Sequence, residues 1–208
     1  LSSINGEFRP GIVHRIDKLT SGLMIVGKTE QALAHLSLQF FNREIERKYI
    51  ALVWGDPGDE GRIEGNIGRS LKNRKLMSVF PEGDFGKTAA TNFVKLKDLG
   101  YVSLVECKLE TGRTHQIRAH MRHIGHPLFG DLEYDGTRIW KGTVFTKYKQ
   151  LVNNCLNILP RQALHAKSLG FIHPTTGKKM FFESDLPDDM VEVISRWENY
   201  IEQRALEN

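Results

Sequence analysis

Two pairs of short β-rich stretches, each folded about a compact turn, restrict this chain to architectures built on an antiparallel sheet. Residues 90–96 and 102–109 flank Asp98-Leu99-Gly100, and Leu164–Ile172 and Lys179–Glu183 flank His173-Pro174-Thr175-Thr176-Gly177. Glycine and aspartate at the turns and alternating β-formers on either side predict two hairpins. Residues 48–54 alternate in the same way and end at Gly55-Asp56-Pro57-Gly58, which predicts another strand. The run Leu23-Met24-Ile25-Val26 predicts a buried strand. Residues 61–86 carry many glycines and charges, and are expected to hold short strands joined by mobile loops.

Helices are expected at three places. Thr29 with Glu30 marks a start, followed by the apolar stripe Ala32, Leu33, Leu36 and Phe40. A second helix spans about 114–124 and is stopped by Gly125, with Pro127 just beyond. The last begins near Pro187, where Asp188 and Asp189 suit a helix N-terminus, and runs to about Gln203. Strands and helices mix without strict alternation, so the expected class is α+β with a mixed, mostly antiparallel sheet and peripheral helices and loops. At 208 residues, with no repeat and no linker, the whole of 1–208 is taken as one domain. No apolar run reaches the length of a membrane span, and residues 1–9 show no signal-peptide pattern. A first residue other than Met marks the chain as an expected fragment.

The net charge of +4 is mild: it permits a nucleic-acid partner without demanding one. Cys107 and Cys155 lie far apart in apolar settings, which suits buried thiols in a reducing cytoplasm and leaves no Cys-x-x-Cys zinc site.

Three segments carry chemistry. In His14-Arg15-Ile16-Asp17-Lys18-Leu19-Thr20-Ser21-Gly22 an acid stands between two cations on a turn. Nearby positive charge would hold Asp17 ionised, as a nucleophile or base requires. A turn aspartate that only caps backbone amides fits the residues as well. In Gly112-Arg113-Thr114-His115-Gln116-Ile117-Arg118, continuing to Ile124, His115, Arg118 and Arg122 share one helical face, and Ile117, Met121 and Ile124 the other. That predicts a cationic ridge suited to phosphates or one carboxylate, or simply a solvated basic face. His115, His120, His123 and His126 point around the helix, with no carboxylate at a ligand spacing, so no metal is expected. In Glu46-Arg47-Lys48-Tyr49, Tyr49 is either a platform for an unpaired base or an aromatic filling the sheet.

Together these segments resemble the RluA/RluD family of RNA pseudouridine synthases. The family's His-Arg-Leu-Asp-x-x-Thr-Ser-Gly motif matches His14–Gly22 with Ile16 in place of Leu, its Tyr motif matches 47–55, and its Gly-Arg-Thr-His-Gln-Ile-Arg motif matches 112–118. Gly125-His126-Pro127, Gly130-Asp131 with Tyr134, and Leu164-His165-Ala166 follow in family order. The resemblance implies the pseudouridine synthase fold and an isomerase that converts uridine in structured RNA to pseudouridine.

It implies Asp17 as the carboxylate that starts cleavage of the N-glycosidic bond, by attack on the sugar or removal of a sugar proton. Tyr49 is implied as the ring that stacks on the target base, and Arg118 as the partner of Asp17. Arg15 is expected to fill the gap left by the extruded nucleotide. His14, Thr20, Arg113 and His115 are expected to touch substrate or RNA, as are Gln116, Arg122 and Leu164. Arg69, Lys72, Arg74 and Lys75 either grip the RNA backbone or form a solvated loop. No cofactor or metal is implied, because the isomerisation has no net redox or hydrolytic change. Pro160-Arg161-Gln162-Ala163 resembles the RluD branch, which implies large-subunit ribosomal RNA, with transfer RNA or a non-catalytic RNA-binding module as alternatives. The family's usual strands, and in larger members a small RNA-binding domain, precede the Asp motif, so both are expected to be missing here. A cytoplasmic monomer with no membrane partner completes the expectation.

Overall fold

The computed structural model describes residues 11–143 and 145–207; the stretch read above for a signal peptide lies outside them. Eight strands form one sheet: β1 (Ser21–Gly22), β2 (Glu46–Trp54), β3 (Glu60–Arg69), β4 (Met77–Phe80), β5 (Lys87–Asp98), β6 (Val102–Leu109), β7 (Leu164–Ile172) and β8 (Lys179–Glu183). Their order is β1-β7-β2-β6-β5-β3-β4, with β8 also paired to β7. Only β1 with β7 is parallel among the named pairs. The helices are α1 (Glu30–Phe41), α2 (Gln116–His123), α3 (Thr146–Ile158) and α4 (Asp188–Glu207). The α+β class and both hairpins are as expected.

Period-2 alternation along β2 sends its side chains to two different cores. Ile50, Leu52 and Trp54 pack with Phe129, Tyr148, Val152, Met190 and Trp197 under α3 and α4. Tyr49, Ala51 and Val53 pack with Val105, Cys107, Ile117, Met121 and Leu164 under α2. Both cysteines are buried free thiols, and burial pushes Cys107 up to about 12. The register of β2 with β7 slips beside Tyr49: Tyr49 faces Ala166 while Lys48 faces Ser168, so Lys167 is an extra residue in β7. Such a bulge bends a strand where pairing must give way to a site.

Some elements differ from expectation. Residues 23–26 do not form a buried strand: β1 stops at Gly22, Val26 makes a single bridge to Ile12, and Met24 and Val26 are exposed. β1 has only β7 as a strand neighbour among the described residues, so nothing on its far side buries that run. β3 is a ten-residue strand rather than a short piece. Its glycines sit where neighbours crowd: a Cβ at Gly61 would meet the Phe93 ring at 2.6 Å. Helix α2 begins at Gln116, not 114, because His115 takes a left-handed conformation (φ 52°). Helix α3 was not expected at all.

Candidate active site

Asp17 lies on a turn that other parts of the chain hold in place. Thr20 N–H donates to the Asp17 carbonyl at 3.0 Å, and Leu19 sits at φ 70°, where a side chain is strained. Gln162, in the loop before β7, donates from Nε2 to the Lys18 carbonyl (2.7 Å) and to Thr20 Oγ1 (3.2 Å). Arg161 Nη1 donates to the Leu19 carbonyl at 3.1 Å. Arg161 is itself fixed by a two-pronged pair with Asp189 of α4, at 2.8 Å on both sides. Among the described residues the Asp17 carboxylate accepts no backbone amide, so it does not cap its turn there. Its recorded ion-pair partner is Arg118 Nη1, at 3.7 Å, and not its neighbours Arg15 and Lys18, which are exposed.

Arg118 is 3% exposed and points inward from α2. Asp131, itself 1% exposed, takes its Nε and Nη2 at 2.6 and 2.8 Å, and Glu133 takes Nη2 at 2.6 Å. The Tyr134 ring lies against the guanidinium at 4.7 Å. Burial disfavours the Arg118 charge most strongly, but the Asp131 and Glu133 carboxylates outweigh it and hold Arg118 above its ordinary range. The same contact holds Glu133 below the usual carboxylate range. Asp131 is anchored in turn by the backbone N–H groups of Glu133 (3.1 Å) and Tyr134 (3.2 Å). His115 Nδ1 is 3.0 Å from the Tyr134 hydroxyl, which accepts Met77 N–H at 2.8 Å; burial lowers the His115 pKa. The expected cationic ridge on α2 is therefore absent. Arg118 is neutralised by acids, and Arg122 pairs with Asp135 at 2.8 Å and lies over Trp140.

Around Asp17 opens a cleft of about 450 Å³. Of the residues expected from sequence, His14, Arg15, Thr20, Tyr49, Arg113, Gln116 and Leu164 line it with Asp17. Tyr49 is buried, and its pKa is raised by that burial against the opposing effect of Arg47. The His14 ring stacks on Phe40 at 4.6 Å, and its Nε2 accepts Ile25 N–H at 3.0 Å. Burial, then the nearby Arg47 charge, lowers its pKa to about 4, so His14 is neutral.

Gln116 is a strut with no bonding capacity left for a ligand. Its Oε1 accepts from Thr111 Oγ1 (2.7 Å) and Arg113 N–H (2.9 Å), and its Nε2 donates to Ala90 O (2.9 Å) and Thr91 Oγ1 (3.0 Å). Arg69, Lys72, Arg74 and Lys75 are exposed on and after the end of β3, away from the cleft lining. Among the described residues no three His, Cys, Asp or Glu side chains could hold a metal ion. No helix among them is long and apolar enough to cross a membrane.

The residues missed at the sequence level are those that position rather than react: Asp131 and Glu133 behind Arg118, and Arg161 and Gln162 behind the Asp17 turn. Asp131, Arg161 and Gln162 were visible only within motifs in family order and Glu133 not at all, since nothing local in the sequence ties position 162 to position 18.

Comparison with known proteins bears on this geometry. The family model described as RNA pseudouridylate synthase matches residues 1–123. A protein of Chlorobaculum parvum named "Uncharacterized RNA pseudouridine synthase" is 50% identical over 192 residues, covering 91% of this chain and 58% of the relative. A Zymomonas mobilis protein named ribosomal large subunit pseudouridine synthase D is 46% identical over 192 residues, covering 91% and 57%. The chain thus spans under two thirds of the length of these relatives. The solved structure of human RNA pseudouridylate synthase domain containing 1 superimposes with a TM-score of 0.66 at 29% identity, over 89% of this chain and 72% of that one.

Proposed function

This chain belongs to the RNA pseudouridylate synthase family, and from that premise we propose that it isomerises uridine to pseudouridine in structured RNA, with Asp17 as its reactive carboxylate. The reaction breaks the bond from uracil N1 to the sugar C1′ and joins C1′ to C5 instead. The proton on C5 is lost and N1 gains one, so nothing is oxidised or hydrolysed. The observation that carries the reading is the setting of Asp17: its side chain is 13% exposed in a cleft, accepts no hydrogen bond among the described residues, and faces a buried guanidinium at 3.7 Å. A carboxylate with free lone pairs beside a fixed cation is oriented and available to the sugar.

Arg118 serves as the orienting partner. Its other donors are committed to Asp131 and Glu133, which stops it from collapsing onto Asp17 and quenching it. Tyr49 offers a buried ring to the uracil. With its pKa raised by burial, it remains a protonated phenol at neutral pH and works by its face and hydroxyl rather than as a phenolate. Arg15 lines the cleft and is exposed, which supports it as the side chain that fills the space the extruded nucleotide leaves. The relatives named for the large ribosomal subunit support large-subunit ribosomal RNA as the substrate, and we take the protein to act as a cytoplasmic monomer.

A hydrolase that frees uracil needs a proton donor opposite Asp17. The other carboxylate lining the cleft, Glu110, is held down to about 2 by its hydrogen bonds to Arg62, with Asn92 adding to them, and cannot donate a proton. The test is release of tritium from C5-tritiated uridine in a large-subunit ribosomal RNA transcript, with transfer RNA in parallel. Asp17→Asn should cut release by at least about 100-fold while RNA binding persists. Substantial release by Asp17→Asn, or free uracil as the product, would sink the assignment.

A further inference from the structure

Five buried polar atoms lack a hydrogen-bond partner among the described residues, and two of them, His14 Nδ1 and Arg47 Nε, belong to neighbouring side chains on the wall of the cleft. Both are donors. The Ile25 N–H occupies His14 Nε2, so the proton of the neutral ring resides on Nδ1. A guanidinium only donates. The two side chains share one support, the Phe40 ring, with His14 stacked at 4.6 Å and the Arg47 guanidinium at 5.3 Å. Arg47 lies two residues before Tyr49 in β2, so both project from the same face. No carboxylate lies within ion-pair distance of Arg47 among the described residues, unlike Arg118 and Arg62, which each meet acids. Gly112 leaves it room: a Cβ there would stand 3.1 Å from Nη1.

An orphaned Nε on a half-buried guanidinium with no acid partner among the described residues, beside a His14 ring whose further contact is the Arg15 backbone, calls for one acceptor that carries negative charge. A uracil carbonyl would satisfy the donors but leave the cation unpaired, whereas a phosphate oxygen does both. Arg43 and Arg113 line the same cleft and favour an anion further. We propose that Arg47 and His14 form a seat for one phosphodiester of the bound strand, next to the nucleotide that reaches Asp17. The seat rests on the reading of this cleft as an RNA site. It makes the two residues positioning groups: they fix the backbone, and Asp17 and Tyr49 meet the sugar and base.

The experiment measures affinity of the full chain for a large-subunit ribosomal RNA transcript across a salt series, in the Asp17→Asn background so that turnover does not interfere. Arg47→Met keeps the stem on Phe40 and removes the charge. It should weaken binding about 10-fold near 0.1 M salt and flatten the salt slope by about 0.7 to 0.9, the signature of one lost phosphate contact. Arg47→Lys should restore most of the slope, and His14→Phe should add little once Arg47 is changed. An unchanged slope with a lowered melting temperature would make Arg47 a packing residue and overturn the seat. So would an unchanged slope accompanied by lost tritium release in the Asp17 background restored to wild type, which would place Arg47 on the base or on Tyr49. Competition by inorganic phosphate at constant ionic strength, with no Arg47-dependent RNA slope, would reduce the seat to a free-anion site and refute it for RNA. If the slope depends on Arg47 but the wild type releases no tritium from any RNA, the seat stands and the isomerase reading falls.

Discussion

Arg118 meets three carboxylates and gives each a different share. Asp131 has the two-pronged contact, Glu133 a single short one, and Asp17 only a 3.7 Å approach. That ranking leaves Asp17 close to the guanidinium yet unbonded, so the distance is set by Asp131 as much as by Asp17. Removing the Asp131 charge with Asp131→Asn should release Arg118 toward Asp17 and turn a poised carboxylate into a closed ion pair. Tritium release should fall about 10-fold, and urea unfolding should show a loss of about 3 kcal/mol, as for other broken buried pairs. Retained turnover in Asp131→Asn would show that Arg118 keeps its place by other means. Asp17 was legible in the sequence as a candidate carboxylate because its neighbours form a motif. The atoms that set its chemistry were not, because Asp131 and Glu133 reach Arg118 only through the turn that follows α2.

At the level of elements, legibility followed local signals. The hairpins of β5 with β6 and β7 with β8 announce themselves by turn residues, and α1 by Thr29, whose hydroxyl accepts Ala32 N–H at 3.2 Å. Helix α3 carries no such signal: Phe145 stands at its N-cap without a side-chain bond, its first turn has no acid and its last no base. Only the buried stripe Tyr148, Val152 and Cys155 marks it. Residues 23–26 failed for the converse reason, since an apolar run becomes a buried strand only if the sheet continues on both sides of it. The loop before β7 looks unremarkable locally, yet it holds the Asp17 turn. Gln162→Leu should leave the Lys18 carbonyl and Thr20 hydroxyl short of a donor, costing about 2 kcal/mol, or roughly 6 °C of melting temperature for a chain of this size. Turnover should drop more than RNA affinity does. An equal loss in both would mean that Gln162 touches the RNA directly.

For the molecule as a whole, the half-buried His14 and the buried His120 set the acid limit. His14 and His120 both have pKa values lowered to about 4, mainly by burial. Below pH 6.5 the unfolded chain therefore binds protons at these positions that the native chain refuses, and stability falls as pH drops toward 4. Each should contribute a slope approaching 1.4 kcal/mol per pH unit within that window, and none above it. Urea titrations at pH 7.5, 6 and 5 check this, and His120→Gln should flatten the decline; an unaltered slope would clear His120 of the effect.

The other whole-molecule property lies in how the Asp17 turn joins the sheet. β1 contributes two residues of pairing, and the bond from Gln162 to Lys18 spans 144 positions of sequence. So long a loop closes late in folding and opens at little energetic expense. Rising urea should then extinguish turnover while the fluorescence of Trp54 and Trp197, buried in the opposite core, is still native. If the proposed function holds, the chain would pass through a folded but silent form, with Asp17 undocked from an otherwise intact sheet.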